Sequence, residues 1–523
     1  MQSPLSAFAA LTGYGSTKRT LLLETADVDS KQDTQSLLML GAHLELRCTG
    51  RIVSMTAVTD SGKAILAHTL TKLDASVRSQ LDASGSHLEL EFPKIPVDLE
   101  EEQRLKSLTP FQVLRHLLDD LAENTDDQDA LCVGGVFGYD MLATFENLPD
   151  VTSGVNPCPD MVFYLAETLL VIDHAERTTS LQTTAFVGPT APQDWATANH
   201  LFTRYERSIR TLTPKLEVTG KPVPDAPLAV DISDEEFSGR VNRLKGHIDI
   251  GDIFQVVLSR CFSLPCADTF VAYQQLKSLN PSPYMFYVND PDFVLFGASP
   301  ESALRYESNT RKATVCPIAG TRKRGKKPNG DLDTEYDARI ELELRTDEKE
   351  LSEHLMLVDL ARNDLAKISA AGTRHVEQLL KVDRYSHVMH LVSKVAGTLR
   401  DDLDALHAYQ ACMNMGTLVG APKIKAAELI RQVEGTRRGS YGGAVGYING
   451  RGDLDSCIVI RSACVVDGVA HIQAGAGIVL DSDPIAEANE TRSKANAVIT
   501  AVLKANLIVT EKSMAAEAIP VTQ

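Results

Sequence analysis

Ser233–Phe262 reads SDEEFSGRVNRLKGHIDIGDIFQVVLSRCF, and two periodicities meet inside it. Ser233 and Glu236 form a capping box, and Phe237, Val241, Leu244 and Ile248 then recur at helical spacing. Gly251 ends that helix, and IFQVVLSRCF reads as a buried strand. The same alternation continues on both sides. Asp347 with Glu350 caps a second helix whose apolar positions run on through Leu357 and Leu360. Further on, the strand HIQAGAGIVL leads into Ser482-Asp483-Pro484, an N-cap followed by proline at the first helical position. Upstream, Thr20–Leu23 and Met161–Ile172 are strand-like and Phe111–Leu121 is helix-like. Strands alternating with helices predict an α/β (α+β) protein with large mixed β-sheets and helices packed outside.

At 523 residues the chain exceeds the usual single core, so at least two lobes are expected. The proline-rich stretch TPKLEVTGKPVPDAPLAVD divides it into residues 1–212, a linker at 213–231, residues 232–510, and a small polar tail at 511–523 expected to fray. The glycine strings GGVFGYD (from Gly134) and GGAVGY (from Gly442) read as two unrelated tight strands. A formal net charge of −18 argues against a nucleic-acid surface, though a locally basic pocket for a small anion remains compatible with it. Nine cysteines without a CxxC pair fit reduced thiols and a cytoplasmic setting. The opening MQSPLSAFAALTG has no basic n-region and only a short apolar run, so neither a signal peptide nor a membrane span is expected.

Glu350 and Glu353 are three residues apart, as are Glu487 and Glu490, so each pair shares a helix face. Carboxylates with open water positions suit Mg²⁺; spacing alone leaves two solvated acidic faces as the alternative. In Gln473-Ala474-Gly475-Ala476-Gly477, glycines at a strand end let backbone N–H groups approach an anion, or simply bend the strand. GTRKRGKKPNG, from Gly320, is a basic loop or a solvated turn. Arg461 lies in the strand-like IVIRSACVV. There it needs an anionic partner, either a structural carboxylate or one carried by a substrate. His390 alternates with apolar residues in VMHLVS, the usual setting of a core histidine. No GxSxG and no GxCxG is present, so the nucleophile of a glutamine amidotransferase is missing.

Together the segments LLLETADVDSK, NPSPYMF, FGASPES, CPIAGTRKRG, ELSEHLMLVDLARNDL, DRYSHVMHLVS, ACMNMGTLVGAPK, GSYGGAVGY, DLDSCIVIRSA and QAGAGIVLDSDP resemble the large component of anthranilate synthases, within the chorismate-utilising enzymes. They run in the family's order from Leu21 to about Asn496. The resemblance implies amination of chorismate by ammonia at C2 with loss of the C4 hydroxyl, then elimination of pyruvate to give anthranilate, the first step of tryptophan biosynthesis. It further implies that Glu353 and Glu490 hold Mg²⁺, with Glu350 and Glu487 behind them. Gly320, Thr321, Tyr441, Arg461, the amides of Gly475, Ala476 and Gly477, and Lys494 would bind substrate. Glu301 would be the acid for the leaving hydroxide, kept protonated by neighbouring carboxylates, and His390 would transfer a proton in pyruvate elimination.

Two positions speak for anthranilate within this group. Aminodeoxychorismate synthases resemble the chain but carry a nucleophilic lysine where Ala319 stands. Isochorismate and salicylate synthases carry a water-activating lysine at the position of Gln255. The resemblance also implies a separate glutamine amidotransferase subunit in a hetero-oligomer. It further implies feedback by L-tryptophan at Thr25, Pro283, Tyr284 and Met285, where Thr25 replaces the family's usual serine. Val419 likewise replaces the serine of GTLSGAPK, with loss of a hydroxyl near the rim of the site. The competing readings are another chorismate-utilising aminase (aminodeoxyisochorismate or aminodeoxychorismate synthase) and a non-catalytic tryptophan-binding regulator.

Overall fold

The computed structural model describes residues 3–25, 35–96, 98–123, 125, 127–186, 191–211, 218–224, 226–385 and 388–517. Ser233 caps the helix Asp234–Asp249 by accepting from the Glu236 N–H at 3.1 Å, and Phe237, Val241 and Leu244 are its buried stripe. Gly251 follows at φ +85°, a left-handed position that glycine takes without steric penalty, and the buried strand Gln255–Pro265 begins. Asp347 caps the helix Glu348–Ala366 through the Lys349 and Glu350 amides. The strand Val469–Ile478 leads into the helix Pro484–Glu517, where the Asp483 carboxylate accepts from the Ala486 N–H at 2.8 Å. That helix continues beyond Thr510, into the segment expected to fray.

The mixed sheets predicted from alternation are replaced by antiparallel ones: among the described residues, every pairing between strands is antiparallel. The physical reason is that a helix between consecutive strands here does not return the chain to a parallel neighbour. After the helix Thr269–Leu279, for instance, the strand Tyr284–Asn289 pairs with Thr20–Glu24 and Val294–Ser299, not with Gln255–Pro265.

The pairings describe two wings. One runs through Gln255–Pro265, Val469–Ile478, Ser462–Val466, Val294–Ser299 and Tyr284–Asn289. The other runs through Ala444–Asn449, Leu454–Ile458, Ser302–Glu307, Lys312–Val315 and Val388–Thr398, the last also paired with Ile318–Lys323 and His375–Arg384. Between them lie strands from before the linker. Thr20–Glu24 joins the first wing, Cys132–Phe137 joins the second, and Gln35–Thr49 with Met161–Asp173 connects these two. The division at 213–231 is therefore one of sequence, since both sheet and core run across it. One core cluster holds Leu46 and Phe163 together with Val256, Val395 and Ala476.

The two glycine strings, read as unrelated, are paired neighbours, with Gly135 opposite Gly446. Both are tightly enclosed. A Cβ on Gly135 would lie 2.0 Å from the Val162 carbonyl oxygen, and one on Gly446 2.2 Å from that of Asp455.

Candidate active site

The free ends of the two wings supply the side chains singled out in the sequence. From the first wing come Gln255, the Gly475–Gly477 run and, on the following helix, Glu487, Glu490 and Lys494. From the second come Ala319, Gly320, Thr321 and His390 on paired strands, with Glu350 and Glu353 on the helix packed against them. Gly320 has φ +71°, and a Cβ there would stand 3.0 Å from Glu350 Oε2.

The four glutamates are close enough to feel one another. Burial raises the Glu353 carboxyl most, and Glu350, Glu487 and Glu490 raise it further against Lys349. Glu487 is also raised, again chiefly by burial and then by Glu490. Counter-ions are near: Lys494 Nζ lies 2.6 Å from Glu490 Oε1, and Arg322 lies 2.6 Å from Glu350. Arg322 also bonds Asp347, so the basic loop is an anchored one. Among the described residues no three His, Cys, Asp or Glu side chains converge tightly enough to enclose an ion. The donor chemistry is that of an open site, with mutually repelling carboxylates facing from two helices. That fits Mg²⁺, which takes one or two protein carboxylates and completes its shell with water or substrate oxygens.

Glu301 is 6% exposed, and burial pushes its carboxyl up to about 8. The cause differs from the expected one. Neighbouring carboxylates do not hold the proton; desolvation does. The Thr417 hydroxyl (3.0 Å), the Ile318 amide, Arg461 and Lys494 all pull the other way. Thr417 lies inside a quoted segment, yet nothing in its spacing marks it as the donor to this carboxyl.

Arg461 is not within a strand. It occupies the break between Leu454–Ile458 and Ser462–Val466, at φ +50°. Left-handed backbone at a non-glycine residue is strained and gathers at functional sites. Among the described residues no carboxylate forms an ion pair with it. Tyr441, Glu490 and Glu301 are the groups whose negative charge reaches it, while burial pulls its guanidinium below the ordinary arginine range. A structural partner is thus missing, and the guanidinium can take an anion from outside.

His390 is 7% exposed. Its Nδ1 lies 2.9 Å from Thr321 Oγ1, and burial, then Arg461, lowers it to about 4, so at neutral pH the ring is uncharged. The Tyr441 hydroxyl receives the Gly475 amide while burial raises it to about 12. Gly475, Ala476 and Gly477 pair in the sheet with Ser259, Leu258 and Val257. Lys494 donates to the Gly475 carbonyl at 2.9 Å. A Cβ on Gly477 would touch Gln255 Nε2 at 2.7 Å, and among the described residues the buried Gln255 Oε1 has no hydrogen-bond partner. Val419, expected at the rim, is instead fully buried in the core.

The residues singled out for tryptophan lie elsewhere. Thr25, Tyr284 and Met285 line a cavity of about 700 Å³ with Leu23, Tyr447 and Cys457, and Pro283 is buried next to it without being part of the lining. Among the described residues Thr25 Oγ1 is buried there with no hydrogen-bond partner. The rest of LLLETADVDSK after Thr25, up to the last residue before Lys31 and Lys31 itself, falls outside the described residues, as do Ser386 and His387 of DRYSHVMHLVS.

Residues 68–500 match the chorismate binding enzyme family. The chain is 54% identical over 489 residues to anthranilate synthase component 1 of Vibrio parahaemolyticus serotype O3:K6 (strain RIMD 2210633), covering 93% of this chain and 88% of that one. It is 51% identical over 504 residues to the Escherichia coli (strain K12) protein of the same name, covering 96% and 95%. This chain belongs to the anthranilate synthase component 1 family of chorismate-binding enzymes. Among solved structures, anthranilate synthase component I from Streptococcus pneumoniae TIGR4 superposes with a TM-score of 0.68 at 27% identity, covering 90% of this chain and 93% of that one. The menaquinone-specific isochorismate synthase from Escherichia coli shares the fold, with a TM-score of 0.60 at 17% identity over 96% and 100%. Neither Ala319 nor Gln255 carries a side chain that can act as a nucleophile or a base. Among the described residues no helix is long and apolar enough to cross a membrane.

Proposed function

We propose that the chain catalyses Mg²⁺-dependent amination of chorismate by ammonia at C2, with loss of the C4 hydroxyl, followed by elimination of pyruvate to give anthranilate. The observation that carries this reading is a buried Glu301, its carboxyl pushed up to about 8 by burial, close to Arg461, a cation that pairs with no carboxylate among the described residues. Arg461 and the Tyr441 hydroxyl receive a substrate carboxylate. Glu301, uncharged below about pH 8, donates its proton to the C4 oxygen as ammonia bonds to C2 and the ring double bonds shift, so that water leaves. Neutral His390 can accept a proton in the second stage, when the C2 hydrogen is removed and the C3–O bond breaks to release pyruvate.

Glu353 and Glu490 would hold the cation, with Glu350 and Glu487 behind them; the ion would neutralise a substrate carboxylate. Curated relatives carry the name component 1, and this chain has no amidotransferase cysteine setting. A second, glutamine-hydrolysing subunit therefore delivers ammonia, in a hetero-oligomer. The cavity lined by Thr25, Tyr284 and Met285 would take L-tryptophan as a feedback inhibitor.

The test is to incubate the purified chain with chorismate and Mg²⁺ and follow anthranilate fluorescence. Product is expected with ammonium at raised pH and not with glutamine. An amino-cyclohexadiene that retains its pyruvyl group would instead assign the chain to a shorter reaction. Product from glutamine alone would overturn the two-subunit reading.

A further inference from the structure

Arg260 is 1% exposed, one of the largest side chains the core encloses, and it sits outside the site just described. It belongs to the strand Gln255–Pro265, directly opposite Ala474 on the strand that carries Gly475–Gly477. Its guanidinium joins the Pro484–Glu517 helix to the start of the Asp234–Asp249 helix, where Nη1 also reaches the Ile232 carbonyl at 3.5 Å. Nε donates to Thr491 Oγ1 at 2.8 Å and Nη2 to the Ala488 carbonyl at 2.7 Å, and the Thr491 hydroxyl itself donates to that same carbonyl at 2.7 Å. Nη1 reaches Asp234 Oδ1 at 2.7 Å, and Asp234 also pairs with Arg492 of the same helix. The rings of Phe237 and Phe262 flank the guanidinium, with centroids at 5.0 and 5.3 Å.

Ala488 and Thr491 interleave with Glu487, Glu490 and Lys494. At about 100° per residue, the face gripped by Arg260 lies roughly a quarter-turn from the face that presents the two glutamates. Turning the helix about its own axis is the motion that would carry those carboxylates off the opposing Glu350 and Glu353. Bonds to a carbonyl and a hydroxyl one turn apart, both from a rigid fork, oppose that motion; a single salt bridge would not. Burying a guanidinium is unfavourable unless its donors are all met, so the arrangement demands an orientation and not merely a charge.

We infer that Arg260 is a positioning residue that fixes the rotation of the Pro484–Glu517 helix and thereby sets the affinity of the divalent-cation site to which that helix brings Glu490, with Glu487 behind it, opposite Glu353. This rests on the cation reading proposed above.

The test measures Mn²⁺ binding to the full-length chain by the loss of its free-ion EPR signal, with thermal unfolding recorded in parallel. Arg260→Lys keeps the charge but cannot reach Thr491, Ala488 and Asp234 together. It should weaken Mn²⁺ binding by about tenfold or more and raise the Mg²⁺ concentration for half-maximal activity in proportion. At saturating Mg²⁺, kcat and the KM for chorismate should stay within about twofold. Thr491→Val removes only the hydroxyl and should weaken Mn²⁺ a few-fold, and it decides the matter should the lysine variant fail to fold. Glu490→Gln is the control. If it binds Mn²⁺ like the wild type, no cation site exists there, and both the cation reading and this inference fall. If Glu490→Gln loses the ion while folded Arg260→Lys and Thr491→Val bind it normally, the positioning role alone is overturned.

Discussion

A carboxyl held neutral by burial is a liability to the fold as well as an asset to a general acid, and Glu301 makes this measurable. Its folded value of about 8 stands above the ordinary 4.5 of the free side chain. Its protonated form is therefore favoured by folding, and the associated stability is fully present below pH 4.5 and lost as pH rises to 8. At pH 7 the lost part is on the order of 3 kcal/mol. Glu301→Gln keeps an acceptor for Thr417 and cannot ionise. Its melting temperature should match the wild type near pH 4.5 and exceed it by several degrees at pH 8, while anthranilate formation falls by at least about a hundredfold. Equal melting curves across that range would place the Glu301 proton elsewhere. Thr25 allows a second test. Among the described residues its Oγ1, buried in the cavity of about 700 Å³, has no hydrogen-bond partner, so the hydroxyl can meet a ligand while the extra methyl crowds it. Overpacking typically costs about 1–3 kcal/mol. Tryptophan should inhibit, and Thr25→Ser should inhibit at a lower concentration; a weaker effect on the serine form would make the methyl a favourable contact. The identity of these residues was legible in the sequence, but their states were not. That burial raises the Glu301 carboxyl, and that Arg461 pairs with no carboxylate among the described residues, depend on groups far apart in the chain.

At the scale of elements, two glycines on one strand should respond differently to the same methyl. A Cβ on Gly475 meets the Tyr441 hydroxyl at 2.8 Å and the Leu258 carbonyl at 3.0 Å, and a backbone oxygen inside a sheet cannot withdraw. A Cβ on Gly477 meets only Gln255 Nε2 at 2.7 Å, the end of a side chain that can turn aside. Gly475→Ala should therefore destabilise the protein by about 1–3 kcal/mol and raise the KM for chorismate through Tyr441. Gly477→Ala should leave stability within about 0.5 kcal/mol and act on turnover. Denaturant titration beside steady-state kinetics separates the two, and an equal loss of stability in both would refute the distinction. The helix starts at Ser233, Asp347 and Asp483 could be read directly, because a cap is written in consecutive residues. The break at Arg461 could not, because IVIRSACVV is uniformly β-prone and the interruption comes from its neighbours, where the Arg461 carbonyl accepts from the Ala298 amide.

Strand pairing decides the architecture of the whole molecule, and pairing partners are invisible to a local pattern. Alternation suggested large mixed sheets, and a proline-rich stretch suggested two lobes, yet the two wings of the sheet are linked through Thr20–Glu24, Gln35–Thr49, Met161–Asp173 and Cys132–Phe137, all before that stretch. Removing them would strip partners from both Tyr284–Asn289 and Ala444–Asn449 at once. Phe286, Tyr287, Val288, Val445 and Ile448 are each no more than 1% exposed in the intact chain. At about 1.5–3 kcal/mol for each large apolar side chain kept from water, their exposure would cost on the order of 10 kcal/mol, comparable to the whole stability of a typical domain. Residues 232–523 produced alone should therefore fail to fold, although they carry every side chain assigned to the candidate active site. Supplying residues 1–212 as a separate chain should restore soluble protein and anthranilate formation, since the linker's own strand is only Ala229–Val230, paired with Phe262 and Ser263. The measurement is solubility, circular dichroism and activity of the fragment, with and without its complement. A fragment that unfolds cooperatively by itself would show that the post-linker segment closes its own core, and that the N-terminal strands are an addition to the wings instead of the bridge between them.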